Sequence, residues 1–192
     1  DFDPVSLATT YADNGAAAIS VLTNTDHFQG SIRHLEAAHG VADPRGIPVL
    51  RKEFIFDPYQ VCESRAYGAD AILLIVAMLT PDTLRELREL AEGFWMQCLV
   101  EVHDEAELET ALEHGARLIG VNNRNLRTFE TSLETSRRLL PQIPAGVTVV
   151  SESGLERRDE LDELEACGCH AFLVGEALMR APHPGRALAG LL

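Results

Sequence analysis

The sequence is short of positive charge. Its 16 Lys and Arg stand against 30 Asp and Glu in 192 residues, a formal net charge of −14 at pH 7. Nucleic acid is excluded as a partner on that count, because a phosphate backbone requires a basic surface. An anionic small molecule remains compatible where positive groups are locally focused. Long apolar runs are also missing. The longest are strand-length, so no membrane-spanning segment is expected, and the opening residues lack a secretory-signal pattern. The balance suits a soluble, cytoplasmic protein.

Cysteine is sparse and poorly spaced for chemistry. Cys62, Cys98, Cys167 and Cys169 form no C-x-x-C pair, and Cys167-Gly168-Cys169 is too tight for a usual zinc site. Reduced structural thiols are the simpler reading, and they favour a reducing compartment. His27, His34, His39, His114, His170 and His183 show no metal-ligand spacing. Linkers and low-complexity stretches are absent too. Residues 1–192 read as a single domain, long enough for one real core.

What the chain does have is alternation. Asp3-Pro4 opens a helix that closes at Asn14-Gly15, and Ala16 to Leu22 reads as a strand. Further strands are expected at Val49–Lys52, Ala71–Val76, Met96–Val102, Leu118–Asn122, Val147–Ser151 and Ala171–Val174. Helices are expected at Ile32–His39, from Asp57-Pro58 to Tyr67-Gly68, and at Pro81–Glu92, Asp104–His114, Leu133–Leu140 and Arg158–Ala166. A last one follows Pro184-Gly185. Glu105, Glu107 and Glu109 read as a solvated helix face. Gly15-Ala16-Ala17, Gly68-Ala69-Asp70 and Gly115-Ala116-Arg117 precede strands, with Gly168-Cys169-His170 as a variant. Such repetition indicates βα units laid side by side.

The strand ends locate the function. Apolar runs end in Lys52, Glu101, Asn122 and Ser151-Glu152, so polar side chains leave the sheet at one end. Only a closed barrel turns all strand ends toward one mouth, which favours a (β/α)8 TIM barrel over a doubly wound sheet. Seven of eight strands are visible, and the first strand looks missing. In an eight-strand count, Ser153-Gly154 and Gly175-Glu176 follow strands seven and eight. There glycine lets backbone N–H groups approach a phosphate, and Arg124 offers a cation. The plain alternative is that each glycine only makes a turn. Lys52 with Glu101 or Glu152 forms an acid–base set, or a salt bridge that plugs the barrel, or a Schiff-base lysine as in barrel aldolases. Asn122 orients a carboxylate or hydroxyl. His103 reads as a surface loop residue rather than a group behind Glu101. Phe28, Phe54 and Leu126 lie just past strand ends, where they wall a pocket or pack as core.

These motifs resemble one family. Pro48-Val-Leu-Arg-Lys-Glu-Phe-Ile-Phe-Asp-Pro-Tyr-Gln60, Phe28-Gln-Gly-Ser31, Ala71 to Val76, Leu99-Val-Glu-Val-His103, Gly120 to Leu126, Ser151 to Gly154 and Phe172 to Met179 are similar, in order, to indole-3-glycerol-phosphate synthases. The resemblance implies closure of an indole ring on a phosphorylated small-molecule substrate, with loss of CO2 and water and with no cofactor or metal. It implies Lys52 as general acid and Glu101 as general base. Asn122, Glu152 and Ser153 hold substrate carboxylate and hydroxyl groups. Arg124, Gly154, Gly175 and the Glu176 backbone bind phosphate, and Phe28, Phe54, Leu73, Ile75 and Leu126 surround the aromatic ring.

One departure qualifies this. Members of the family carry a Glu-x-Lys on a first strand, then Ser-Pro-Ser, and an N-terminal extension; none of these is in the sequence. Residues 1–4 correspond to the opening of the first helix. The expectation is an N-terminally truncated barrel with impaired activity and two exposed sheet edges open to self-association. A noncatalytic fragment associating through those edges is the competing expectation. A phosphate-binding isomerase or aldolase is the third.

Overall fold

The computed structural model describes residues 2–126 and 128–192. Asp1, the first of the four residues matched to the helix opening, lies outside them. In chain order the elements are α1 (Pro4–Asp13), β1 (Ile19–Leu22), α2 (Thr25–Phe28), α3 (Ile32–Ala42), β2 (Val49–Lys52) and α4 (Pro58–Ala66). Then come β3 (Ala71–Ile75), α5 (Pro81–Gly93), β4 (Gln97–Val102), α6 (Glu105–Glu113), β5 (Leu118–Asn122) and α7 (Glu134–Leu139). The chain finishes with β6 (Thr148–Glu152), α8 (Arg158–Ala166), β7 (Ala171–Leu173), α9 (Glu176–Arg180) and α10 (Pro184–Ala189).

All seven strands are parallel and pair in chain order. They form a nearly closed barrel with the helices outside. Among the described residues, β1 and β7 are the outermost strands, so each keeps one edge without a strand partner.

Period-two alternation sorts the strand residues into two cores. Leu50, Leu73, Ile75 and Leu99, joined by Leu118, Val150 and Leu173, face inward and fill the barrel floor. The opposite phase, including Val49, Ile72, Leu74, Val100, Ile119 and Val149, packs against the helices. The strands from β2 to β6 are thereby buried on both faces, which explains their nearly continuous apolar runs, whereas the outermost β1 and β7 are partly exposed.

The Gly-Ala phrases turn out to be one repeated helix-ending turn. Each places a left-handed residue after a helix, and the next N–H reaches back five residues. The bonds are Ala16 to Tyr11 (3.0 Å), Ile47 to Ala42 (3.1 Å), Ala69 to Ser64 (2.9 Å), Met96 to Ala91 (3.0 Å), Ala116 to Ala111 (3.0 Å) and Cys169 to Leu164 (3.0 Å). Gly68 shows why glycine recurs: its φ is +89°, and a Cβ there would lie 2.5 Å from the His39 ring. Trp95 alone takes this position with a side chain, at φ 62°.

Most element boundaries fall within a few residues of expectation, and the shifts have causes. β1 starts at Ile19 rather than Ala16, because the Ala16 N–H closes the turn after α1. Val76 leaves β3 for a 3-10 turn over Val76–Met78, and β6 runs on to Glu152. The one-turn helices α2 and α9 were not expected. They are too short to show periodicity, and α2 is capped by Asn24, whose side chain accepts the His27 N–H at 2.8 Å.

Candidate active site

The inward phase that builds the apolar floor continues upward as polar residues. Two positions beyond Leu50 stands Lys52, beyond Leu99 stands Glu101, beyond Val150 stands Glu152, and beyond Gly120 stands Asn122. Of the charged trio after Leu50, only Lys52 enters the barrel. Arg51 has the opposite phase and is buried against α4, where it bonds Ser64 Oγ (3.1 Å), the Gln60 carbonyl (3.1 Å) and Glu63 (2.8 Å). Glu53 ties the loops instead, accepting from Thr23 Oγ1 at 2.8 Å and Asn24 Nδ2 at 2.9 Å.

Lys52 Nζ lies 2.8 Å from Glu152 Oε2 and 3.3 Å from Glu101 Oε2. Asn122 Nδ2 donates to Glu101 Oε1 at 3.0 Å, and Asn122 Oδ1 accepts the Arg124 N–H at 3.0 Å. Burial works against the Lys52 ammonium, yet the two carboxylates more than offset it and leave its pKa raised. Burial alone would raise Glu101 as well. His103, Lys52 and Asn122 overcome it and hold that carboxyl at about 2. Glu152 goes the other way, pushed up to about 7 by burial, with the Glu101 charge adding to it against Lys52. Two carboxylates in one site thus end with opposite tendencies, one held ionised and one able to carry a proton.

His103 corrects the expectation of a surface residue. Its side chain is 14% exposed, with Nδ1 2.9 Å from Glu107 Oε2 and Nε2 3.2 Å from Glu101 Oε1. The second contact is a charge contact rather than an aligned hydrogen bond. Glu107 is likewise not part of a solvated face, because it turns back onto His103. The signal was available in the chain, since His103 follows Glu101 by two and so keeps its inward phase.

At the phosphate end, Ser153 and Gly154 occupy consecutive left-handed conformations, φ 68° and 73°. Asn123 braces this turn. Its Nδ2 donates to the Ser153 carbonyl (3.1 Å) and to Ser151 Oγ (3.0 Å), and its Oδ1 accepts the Ser136 N–H at 3.1 Å. Asn123 escaped notice in the sequence because its partners lie 13 to 30 residues away. Gly175 precedes α9 as its N-cap, with open space where a Cβ would stand. The Glu176 carboxylate is committed elsewhere, 2.7 Å from Arg124 Nη2 and 2.6 Å from Arg180 Nη2. Only its backbone N–H is left for an anion.

The apolar wall is partly assembled. Leu73 and Ile75 line the barrel floor with Phe54 packed on them. Phe28 lies 5.9 Å from Phe54, ring centroid to centroid, and His27 meets the Phe54 ring edge-on at 6.2 Å. Leu126, 43% exposed, stands on the loop after β5. Among the described residues no group of three or more His, Cys, Asp or Glu is arranged to hold a metal ion, and no helix is long and apolar enough to cross a membrane.

Known proteins place this geometry. In solved structures, the chain is similar to 3-hexulose-6-phosphate synthase from Salmonella typhimurium, with a TM-score of 0.78 at 15% identity, covering 97% of this chain and 91% of that one. It is similar also to thiamine phosphate pyrophosphorylase from Pyrococcus furiosus, TM-score 0.77 at 18% identity, over 97% and 86% of the two chains. At such identities the likeness carries the barrel fold alone. Sequence relatives say more. Indole-3-glycerol phosphate synthase of Dehalococcoides mccartyi is 56% identical over 178 residues, covering 93% of this chain and 69% of the relative. That of Bordetella pertussis is 52% identical over 192 residues, covering 100% and 72%. The family model for indole-3-glycerol phosphate synthase matches residues 1–191, with the Lys52, Glu101, Asn122 and Glu152 cluster inside the matched span. The chain belongs to the indole-3-glycerol phosphate synthase family.

Proposed function

We propose that this chain's own Lys52, Glu101 and Glu152 carry out the ring closure. The chain is a lyase of tryptophan biosynthesis, acting on a phosphorylated small molecule. The substrate is 1-(2-carboxyphenylamino)-1-deoxyribulose 5-phosphate. The observation that carries the assignment of roles is Lys52 Nζ standing between Glu152 Oε2 at 2.8 Å and Glu101 Oε2 at 3.3 Å.

Backbone N–H groups at Gly154, Gly175 and Glu176 bind the phosphate, with Arg124 as its cation. Phe28, Phe54, Leu73, Ile75 and Leu126 receive the aromatic ring. Asn122, Glu152 and Ser153 hold the substrate's carboxylate and hydroxyl groups. The Lys52 ammonium then protonates the ketone oxygen as the ring carbon bearing the carboxylate attacks the carbonyl carbon. The bond to the carboxylate breaks, CO2 departs, and the electron pair restores the aromatic ring. In the last step Glu101 removes a proton from the neighbouring CH2, the C–H electron pair forms the ring double bond as the new C–O bond breaks, and the hydroxyl takes a proton delivered from solvent and leaves as water. Replacing Lys52 by Met tests the assignment. Product formation, followed by indole fluorescence, should collapse, whereas unchanged turnover would reject Lys52 as the acid.

A second reading rests on the open edges of β1 and β7. Unpaired strand edges favour association with another strand or with a second copy. Light scattering of the purified chain tests this: a monodisperse monomer would remove it. The reduced thiols and the acidic surface suit a cytoplasmic location.

A further inference from the structure

Glu101 is nearly inaccessible, 2% exposed, yet both of its oxygens are held. Oε2 faces Lys52, whereas Oε1 receives the Asn122 amide and meets His103 Nε2 at 3.2 Å. Behind His103 stands Glu107, third residue of α6. One of its oxygens, Oε2, accepts twice from His103, from the backbone N–H at 2.8 Å and at ring Nδ1 at 2.9 Å. The Glu107 N–H is fixed by Asp104 Oδ1 at 2.9 Å. This departs from an ordinary capping box, in which the third helical residue reaches the cap residue's own N–H. Here it reaches one residue further back and seizes the imidazole as well.

The placement of the ring between two carboxylates favours a charge on it. Both ring nitrogens face carboxylate oxygens. A neutral imidazole has one N–H and one lone pair, so it would turn the lone pair on one of those oxygens; only the imidazolium presents positive charge to both, through a hydrogen bond at Nδ1 and a charge contact at Nε2. We propose that the Glu107–His103 pair is a positioning device for Glu101, holding its carboxylate in place and ionised beside a second, buried carboxylate. The inference rests on the reading of Glu101 as base.

The surroundings support this. The charged groups facing His103 are Glu101 on β4 and Glu107 on α6, with Lys52 on β2 and Glu152 on β6 across the Glu101 carboxylate. The Val76–Met78 turn, packed against both β4 and α6, brings only apolar side chains. Without His103, Glu101 and Glu152 would share the single ammonium of Lys52. Like-charged carboxylates around one cation drive one of them to take up a proton.

The test reads the groups directly. In the full chain, 13C and 15N NMR follow the Glu101 carboxyl and the His103 ring through a pH titration. In His103→Gln the Glu101 titration should rise by about one pH unit or more, a tenfold change in its ionisation equilibrium. In Glu107→Gln the His103 ring should titrate lower, and Glu101 should rise by a smaller amount. An unmoved Glu101 in both variants would overturn the proposal, and the two together guard against one that fails to fold. Turnover of Glu101→Gln addresses the base reading separately. If that variant stays active, Glu101 is not the base, and the NMR result still decides whether His103 sets its ionisation. If Glu101 is the base, the acid limb of kcat in His103→Gln should shift upward while KM changes little, a split that a merely structural histidine would not give.

Discussion

Gly120 makes the space that Glu152 occupies. A Cβ at Gly120 would come 2.1 Å from Glu152 Oε1 and 3.3 Å from Leu99 Cδ1. That oxygen is buried and has no hydrogen-bond partner among the described residues, and it points at the glycine on the neighbouring strand. Gly120→Ala should therefore displace the Glu152 carboxylate and break its 2.8 Å contact with Lys52. Turnover should fall by about 10- to 100-fold, the scale of a misplaced reacting group, with a stability cost of about 1–3 kcal/mol. Steady-state kinetics and thermal unfolding of the variant check both, and wild-type turnover would refute the spatial role of Gly120.

Lys52 is the single lysine of the sequence. An amine-selective reagent at neutral pH therefore has one side-chain target, besides the chain's α-amino group. Modification of Lys52 should track loss of activity, and phosphorylated product should protect it. Lys52→Met should lower turnover by about 10²- to 10⁴-fold, the usual range for general acid catalysis. It also leaves Glu152 without a cation and Glu101 with His103 alone, at a cost of about 2–4 kcal/mol above neutral pH. That cost should shrink toward pH 5 as one carboxylate takes a proton. Denaturant titrations at pH 5 and pH 8 check it, and equal destabilisation at both would contradict the ion-pair account.

Much of this site was legible in the chain, for a physical reason. Period-two alternation fixes which residues share a face, so the polar ends after Leu50, Leu99 and Val150 place Lys52, Glu101 and Glu152 inside one mouth. The same rule separates Arg51 from Lys52, and carries His103 to the side of Glu101. What alternation cannot say is where a long side chain ends. Glu107 reads as solvated because it stands between Glu105 and Glu109 in an acidic stretch, and only the fold turns its carboxylate back on His103. Asn123 and Gly120 act across neighbouring strands, on Ser151 and Glu152, and such pairings emerge only with strand register. The order of the seven strands followed from the βα repeat, whereas one-turn helices such as α2 offer too few residues for any period.

Titration of the cluster gives the stability a particular pH dependence. Burial opposes the His103 charge, but Glu101 and Glu107 raise its pKa to about 9. A raised cation stabilises the fold below its unfolded value near 6.5 and loses that contribution as pH rises through 9. Glu152 is also raised, to about 7, so its contribution is present below about 4.5 and lost as pH rises through 7. Glu101 is lowered to about 2, so its contribution exists above 4.5 and is lost only as pH falls toward 2. The signs combine to place maximal stability at mildly acidic pH, with a decline from pH 5 to 9. His103→Gln should flatten the part between 6.5 and 9 by on the order of 2 kcal/mol. Melting curves across this range test it, and a wild-type profile that rises from pH 6 to 9 would overturn the assignment of signs.

Trp95 offers a test of the fold apart from the chemistry. It is the one non-glycine in the six repeated turns, at φ 62°, and its side chain is 93% exposed. A left-handed conformation costs a side-chain-bearing residue roughly 1–2 kcal/mol, and an indole so exposed returns little burial. Glycine removes that strain but adds roughly 0.5–1 kcal/mol of chain entropy to the unfolded state. The difference favours Trp95→Gly by about 0.5–1 kcal/mol. The Met96 N–H to Ala91 carbonyl bond, 3.0 Å, should survive unchanged. The variant should melt a few degrees higher with unaltered turnover, since this turn lies before β4, at the opposite end of the strand from Glu101. A lower melting temperature would mean that Trp95 is held by contacts its exposure denies.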